Sequence, residues 1–289
     1  MKILILGAGS IGRRHAANLC EMAPDAHVTA MDPREEPLSQ LHPNAYRCIG
    51  DRLDDGYIEA NGKPDALVIC TPATDHLNAL VAAERLRIPF FVEKPVTLSS
   101  SNPINWESTV PHLVACNMRF RPEVRRLMSS LQRAIVEPLS IEFWSDAPMA
   151  QWPGAGYASP VFEFCHEVDL LCEAMKAVRV PLGTTRKVTL AGSSLVIHAW
   201  APSRDAAIEC QVAINWASPI SRGGRIRWDH VSVESYEWRA IPEDVNQMYV
   251  DEMTHFLRVV RGEEKSVNTL AQAREVVRIC EQVEAVCAS

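Results

Sequence analysis

Two apolar patterns divide the chain. In the first part, short unbroken apolar runs recur: KILIL (2–6), ALVIC (66–70), PFFVE (89–93) and HLVACN (112–117). Such runs predict strands buried on both faces. HVTAMD (27–32) predicts a further strand that ends in Asp32. Between the strands the spacing turns helical: Ile11, Ala16, Leu19 and Met22 share one side, as do Leu77, Leu80, Val81 and Leu86 within 76–87. Strands alternating with helices predict a parallel sheet covered on both faces.

The second part changes period. LSIEFWSD (139–146), RKVTLAG (186–192), SLVIHAW (194–200), AAIECQVAINWA (206–217) and RIRWDHVSVESYEW (225–238) alternate apolar with polar residues. That alternation predicts a mostly antiparallel sheet with one open face. Trp200, Trp216, Trp228 and Trp238 lie either on that face or in the core. A single helix is expected over VFEFCHEVDLLCEAM (161–175), with Phe162, Cys165, Val168, Leu171 and Cys172 as its apolar stripe. The spacing of three puts Glu163, His166 and Asp169 along roughly one side of that helix.

The expected fold class is therefore α/β. A doubly wound parallel sheet occupies residues 1–118, and an α+β domain with an open-faced, mostly antiparallel sheet occupies residues 119–289. The length of 289 residues suits two domains. The net charge of −7 argues against nucleic acid or a membrane surface as partner, since both select a basic face. The apolar run Ile3–Leu6 is too short for a signal peptide, and no stretch reaches transmembrane length, so a cytoplasmic location is expected. The nine cysteines form no C-x-x-C and sit in apolar stretches. They read as free buried thiols, with no metal site.

The strand–helix context gives GAGSIG (7–12) its meaning. Gly7, Gly9 and Gly12 fit G-x-G-x-x-G: the first for a tight turn, the second for approach to a pyrophosphate, the third for close helix packing. The helix start, at Ser10 and Ile11, offers free N–H groups and a partial positive charge to phosphate. Asp32 lies 20 residues after Gly12, where a carboxylate that binds the adenosine ribose belongs. Asp32 favours NAD, because a carboxylate repels a 2′-phosphate. Arg34 points the other way and leaves NADP open. FFVEKP (90–95) then poses a question, because an apolar strand is driven to its end and stopped by Glu93, Lys94 and Pro95. The residues alone leave a solvated charge pair as one answer.

These segments together resemble the Gfo/Idh/MocA family, which includes glucose–fructose oxidoreductase and inositol dehydrogenase. GAGSIGRRHAANL (7–19), CTPATDH (70–76), EKP (93–95), CNMRFRP (116–122), FCHEVDLL (164–171) and NQMYVDEMTHFLRVVRGE (246–263) match in order. The resemblance implies that Lys94 sits beside the nicotinamide, stabilising charge on the substrate oxygen or relaying a proton. Glu93 orients Lys94 or caps the next turn. Thr71, Pro72 and His76 contact the cofactor, although His76 also suits a surface helix start. His166 takes the proton of a substrate hydroxyl as hydride leaves, with Asp169 orienting it or the substrate. Asn117, Arg119 and Glu163 fall on the substrate side. Arg119 either binds an anionic group or holds an ion pair.

The departures fall near the pocket. The family's glycine-rich run is reduced here to Gly154 and Gly156, and Glu163 stands near the place of an aspartate. The expected function is an NAD(P)-dependent oxidoreductase, moving hydride between nicotinamide and a secondary alcohol or ketone of a sugar, sugar nucleotide or polyol. A homo-oligomer through the second-domain sheet is expected. The alternative is a non-catalytic NAD(H)-responsive binding protein. A reductase of another small carbonyl or imine fits the H-x-x-D helix less well.

Overall fold

The computed structural model describes residues 1–146, 160–180, 186–191, 194–202, 207–215, 221–229, 232–237 and 242–287. The chain divides into two units, Met1–Cys116 with Asn246–Arg274, and Asn117–Val245 with Glu275–Ser289.

The first unit holds a six-stranded parallel sheet. Its order is β3 (Tyr46–Ile49), β2 (His27–Asp32), β1 (Lys2–Leu6), β4 (Ala66–Ile69), β5 (Phe90–Val92), β6 (His112–Val114). The order runs outward in both directions from the β1–β4 pair, where doubly wound sheets open a crevice at the strands' carboxyl ends. The unbroken run of β1 follows from burial on both sides. Ile3 and Ile5 pack with Ala16 and Leu19 of α1 (Ser10–Met22) and with Met253, Phe256 and Leu257 of α8 (Pro242–Val260). Leu4 and Leu6 pack the other way, with Leu80 and Ala83 of α4 (His76–Leu86), Trp106, and Leu270 and Ala273 of α9 (Leu270–Cys287). Full burial of each isoleucine, leucine, methionine or phenylalanine among them contributes about 1.5–3 kcal/mol.

Three short elements were not expected. They are α2 (Glu35–Ser39), β3 and α3 (Asp55–Asn61). β3 is an edge strand with Tyr46 and Ile49 exposed. α3 is started by Asp54, whose carboxylate accepts the N–H of Tyr57 at 2.9 Å.

The second unit's sheet runs β12 (Val233–Glu237), β11 (Ser221–Arg227), β7 (Ser140–Asp146), β10 (Ala207–Asn215), β9 (Ser194–Pro202), β8 (Arg186–Ala191). Neighbours are antiparallel except β7 and β10, which run parallel with Ile141 opposite Cys210. Period two sorts the faces. Ile141, Phe143, Ile197, Ile208, Val212 and Ile214 are buried. Helices α5 (Pro122–Arg133) and α7 (Cys165–Ala177) lie against the sheet. The alternate positions Glu142, Trp144, His198, Trp200 and Gln211 are half-buried on the open face. Trp144 lies flat on β11 where Gly223 leaves room, since a Cβ there would fall 2.0 Å from the ring. Of the four tryptophans singled out above, Trp200 is on the open face, Trp228 is half-buried after β11, and Trp216 and Trp238 lie outside the described residues. Gly154 and Gly156 lie outside them too.

Two expected elements are interrupted. The strand over 225–238 breaks into β11 and β12. Between them Trp228 N–H donates to Ser232 O, and the Asp229 carboxylate accepts from Ser232 N–H and Oγ–H. An aspartate satisfying the backbone of a turn makes a hairpin here in place of one long strand. The helix over 161–175 breaks at Phe164 into α6 (Pro160–Glu163) and α7, so Glu163 does not continue the helix of His166 and Asp169. Phe162 and Phe164 are 2% and 1% exposed. Side chains two apart point to opposite sides of a continuous helix, and the break lets both be buried.

Among the described residues no helix is long and apolar enough to cross a membrane, and no group of three or more His, Cys, Asp or Glu is placed to hold a metal ion. Among the cysteines whose side chains are described, none forms a disulfide. Burial pushes the thiol of Cys210 up to about 12, and those of Cys70 and Cys280 well above the ordinary range. These thiols are poor nucleophiles.

Candidate active site

The glycine loop is shaped by what its residues lack. Gly7 has φ +91°, and a Cβ on it would fall 2.7 Å from the carbonyl oxygen of Cys70, at the end of β4. A Cβ on Gly12 would fall 1.9 Å from the carbonyl oxygen of Gly7. Only glycine allows the first turn of α1 to press on the loop. Gly9 differs, because a Cβ there meets nothing within 4 Å. Its open side fronts the start of α1, whose Ser10 is exposed and Ile11 half-buried. The loop therefore leaves room where a pyrophosphate meets helix N–H groups.

Asp32 closes β2 and is 3% exposed. Its Oδ2 accepts the N–H of Ala8 at 2.9 Å, which ties the end of β2 to the glycine loop. Arg34 folds back on it: the backbone N–H and Nε donate to Oδ1 at 3.0 Å each, and Nη2 donates to Oδ2 at 3.1 Å. Burial alone would raise the carboxyl's pKa. The hydrogen bonds from Arg34 and Ala8 outweigh it and hold Asp32 below the usual range.

Across the β1–β4 crevice stand Thr71 and Pro72, with the Thr71 hydroxyl buried and without a hydrogen-bond partner. His76 begins α4 and is 1% exposed, so it is no surface residue. Its Nε2 lies 2.7 Å from the Thr71 carbonyl oxygen and its Nδ1 lies 3.1 Å from that of Val96. The ring thereby ties the turn after β4 to the turn after β5. Burial lowers its pKa, against the pull of those carbonyls.

The turn after β5 carries E-K-P, with the Lys94–Pro95 peptide cis. Glu93 faces inward, where Oε1 lies 2.9 Å from His15 Nε2 of α1 and Oε2 accepts the Lys94 N–H at 3.2 Å. Burial raises the Glu93 carboxyl, but His15 and the Lys94 charge outweigh it, and the net shift is downward. His15 was visible in the sequence only as part of the helix after the loop. It is fully buried, edge-on to Phe91 at 5.0 Å and to Tyr249 of α8 at 5.9 Å. Arg14 covers the other part of this cluster, 4.7 Å above the Tyr249 ring. The sequence also gave no sign of Glu252, which is fully buried and accepts the Cys116 N–H at 2.7 Å.

In the second unit, Asn117 and Arg119 lie on a short 3₁₀ helix (Asn117–Phe120). Asn117 is 5% exposed, and its Oδ1 has no hydrogen-bond partner. Arg119 grips Asp169 of α7 bidentately, Nε to Oδ2 at 2.7 Å and Nη2 to Oδ1 at 2.8 Å, while Nη1 donates to Glu173 at 3.0 Å. Of its two expected roles, the ion pair is the one formed here. His166 stands one turn before Asp169 and is 9% exposed. A fork of this kind fixes the carboxylate's orientation as well as its charge.

The residues present thus fit a dinucleotide: an open glycine turn, free helix N–H groups, a buried ionised carboxylate at the second strand's end, and a lysine at the sheet's carboxyl edge. Comparison with known proteins agrees. Residues 1–107 match the model of the Gfo/Idh/MocA oxidoreductase family, described as its NAD-binding Rossmann fold. The chain is 30% identical to the inositol 2-dehydrogenase of Rhizobium meliloti over 145 residues, 47% of this chain and 43% of that protein. The match therefore spans less than half of that relative. Solved structures share the fold at low identity. The myo-inositol dehydrogenase of Corynebacterium glutamicum superposes with a TM-score of 0.77 at 14% identity, covering 99% of this chain and 96% of that one. That of Lactobacillus casei, solved with NAD(H) and myo-inositol, gives 0.76 at 16% identity over 98% and 93%. Residues 1–107 of the chain are thus similar to the NAD-binding Rossmann domain of the Gfo/Idh/MocA oxidoreductases.

Proposed function

We propose that this chain is an NAD-dependent dehydrogenase acting on CH–OH groups, which interconverts a secondary alcohol and its ketone on a sugar, sugar nucleotide or polyol. The observation that carries this is the E-K-P turn. Glu93 is anchored to α1 through His15, and Lys94 follows it at the carboxyl edge of a dinucleotide-type sheet. When bound, the nicotinamide supplies the hydride acceptor or donor. Lys94 hydrogen-bonds the substrate oxygen and stabilises the charge that develops there. His166 accepts the hydroxyl proton, with Asp169 held beside it by Arg119. Asn117 and Glu163 contribute to substrate binding, and Thr71, Pro72 and His76 shape the cofactor edge. The inositol dehydrogenases among the relatives support a polyol as substrate. We place the enzyme in the cytoplasm as a homo-oligomer that associates through the open sheet face.

The test is a panel of inositols, sugars and sugar nucleotides with NAD, read as NADH formation. Lys94→Ala is expected to lose turnover while keeping NADH binding. Unchanged turnover in that variant removes Lys94 from the chemistry. The alternative, an NAD(H)-responsive binding protein, is favoured by one observation: both oxygens of Asp169 are engaged by Arg119. It predicts no turnover on the panel and a protein partner whose affinity changes with NADH.

A further inference from the structure

We propose that Arg34 is a latch on the cofactor pocket: its guanidinium holds the two carboxylate oxygens of Asp32 that an adenosine ribose diol would take, and the dinucleotide enters by displacing it. This latch presupposes the role of Asp32 as ribose ligand.

A carboxylate has about four lone-pair sites. On Asp32 all four are in use. Oδ1 accepts from Arg34 N–H and Nε–H, and Oδ2 accepts from Ala8 N–H and Arg34 Nη2–H. The four donors are of two kinds. The Ala8 and Arg34 backbone groups belong to the glycine turn and to the chain just past β2, and they stay with the fold. The two guanidinium donors hang on a side chain that is 68% exposed, while the carboxylate is 3% exposed. One planar fork supplies one donor to each oxygen. A vicinal diol supplies the same, two O–H donors on adjacent carbons. The exchange is thus like for like and moves no backbone. It keeps Asp32 ionised and fully hydrogen-bonded before and after, so the apo pocket holds no orphaned buried charge. The displaced guanidinium has another carboxylate at hand, because the charge of Glu36 already reaches it.

A latch must be cheap to open. The guanidinium end of the pair is 68% exposed and keeps its water on release, so removing it should tighten dinucleotide binding by up to about fivefold. The experiment is a titration with NADH, read by energy transfer from tryptophan, on the wild type, Arg34→Ala, Arg34→Lys, Asp32→Ala and the Asp32→Ala/Arg34→Ala double variant. Arg34→Ala is expected to bind NADH more tightly. Arg34→Lys, which cannot fork, is expected to lie between it and the wild type. In the Asp32→Ala background the removal of Arg34 is expected to bring no gain, because nothing is left to unlatch. NADH binding that is unchanged or weaker in Arg34→Ala overturns the latch. So does a loss confined to NADPH, which would make Arg34 a ligand of the 2′-phosphate. If Asp32→Ala binds NADH as the wild type does, the ribose role of Asp32 fails, and this is a different result from failure of the latch.

Discussion

His15 Nε2 lies 2.9 Å from Glu93 Oε1, so the helix that follows the glycine loop and the strand that delivers Lys94 are joined by one inward-facing pair. The joint passes through the middle of the first unit. Phe91 packs under the imidazole, and Tyr249 of α8 packs beside it. Loss of either partner leaves the other buried without its hydrogen bond, and breaking a buried pair costs about 3–5 kcal/mol. Glu93→Ala and His15→Ala should each lower the free energy of unfolding by about 3 kcal/mol. In urea denaturation the double variant should be only slightly worse than either single one. Additive losses would mean that the two side chains act separately.

The two ends of the glycine motif should fail differently. Gly9→Ala puts a methyl group into open space, so folding and thermal midpoint should hold while NADH affinity falls at least about tenfold. Gly12→Ala puts its methyl 1.9 Å from a carbonyl oxygen and must push α1 off the loop. That variant should be destabilised by about 3 kcal/mol or more, before any effect on binding. A stable, fully folded Gly12→Ala protein would contradict the close packing described here.

Acid should loosen the first unit before it reaches the carboxylates. Burial holds His76 and His112 below the ordinary histidine value, against the pull of their carbonyl partners. The unfolded chain therefore takes up a proton at each site near pH 6.5, at a pH where the folded chain refuses it. The stability these neutral rings supply is fully present above about pH 6.5 and falls as pH drops through their lowered folded values. His112 gives the sharper test. Its Nε2 accepts the Leu270 N–H at 2.9 Å while its Nδ1 lies 2.7 Å from the Val110 carbonyl, an arrangement only the neutral ring with hydrogen on Nδ1 can make. The thermal midpoint should drop between pH 7 and 5, and His112→Gln should flatten that drop. Asp32 and Glu93, both held low, enter only below roughly pH 4. A midpoint constant from pH 7 to 5 would exclude this assignment.

At Arg119 a lysine should not substitute. Its fork bonds two carboxylates at 2.7, 2.8 and 3.0 Å, one of them (Asp169) buried and the other (Glu173) half-buried, a geometry that an ammonium cannot copy. Arg119→Lys should cost about 2 kcal/mol of stability, measured by denaturant titration. A loss of turnover at wild-type stability would instead mark Arg119 as a substrate ligand.

The sequence carried the parts of this molecule whose causes are local. The run Ile3–Leu6 was legible because helices cover both faces of β1, and the alternation in β7, β9 and β10 was legible because one face of that sheet is open. Gly7 and Gly12 were legible because the turn tolerates no side chain. What was hidden depends on distance along the chain or on one dihedral. Glu93 meets His15 78 residues away. Glu252 meets Cys116 136 residues away. β3 is only four residues long and none of them is fully buried, so it stood out from its surroundings too little to be read as a strand. The break at Phe164 arises from a conflict between two phenylalanines that a periodic stripe does not register. Asp32 and Arg34 were both singled out, but their mutual fork was not, because each residue has a familiar use by itself.

The return of Asn246–Arg274 to the first unit has a consequence for the order of synthesis. Met253, Phe256 and Leu257 of α8 complete one face of a sheet whose strands are all made by residue 114. On the ribosome those strands emerge more than a hundred residues before α8, so the nascent Rossmann half waits with the face of Ile3, Ile5 and Phe91 covered only in part, by α1, while the rest is translated. A chain cut at residue 118 would never receive that cover. It should come out as a sticky, chaperone-bound fragment, and adding residues 242–274 as a separate peptide should recover part of its solubility.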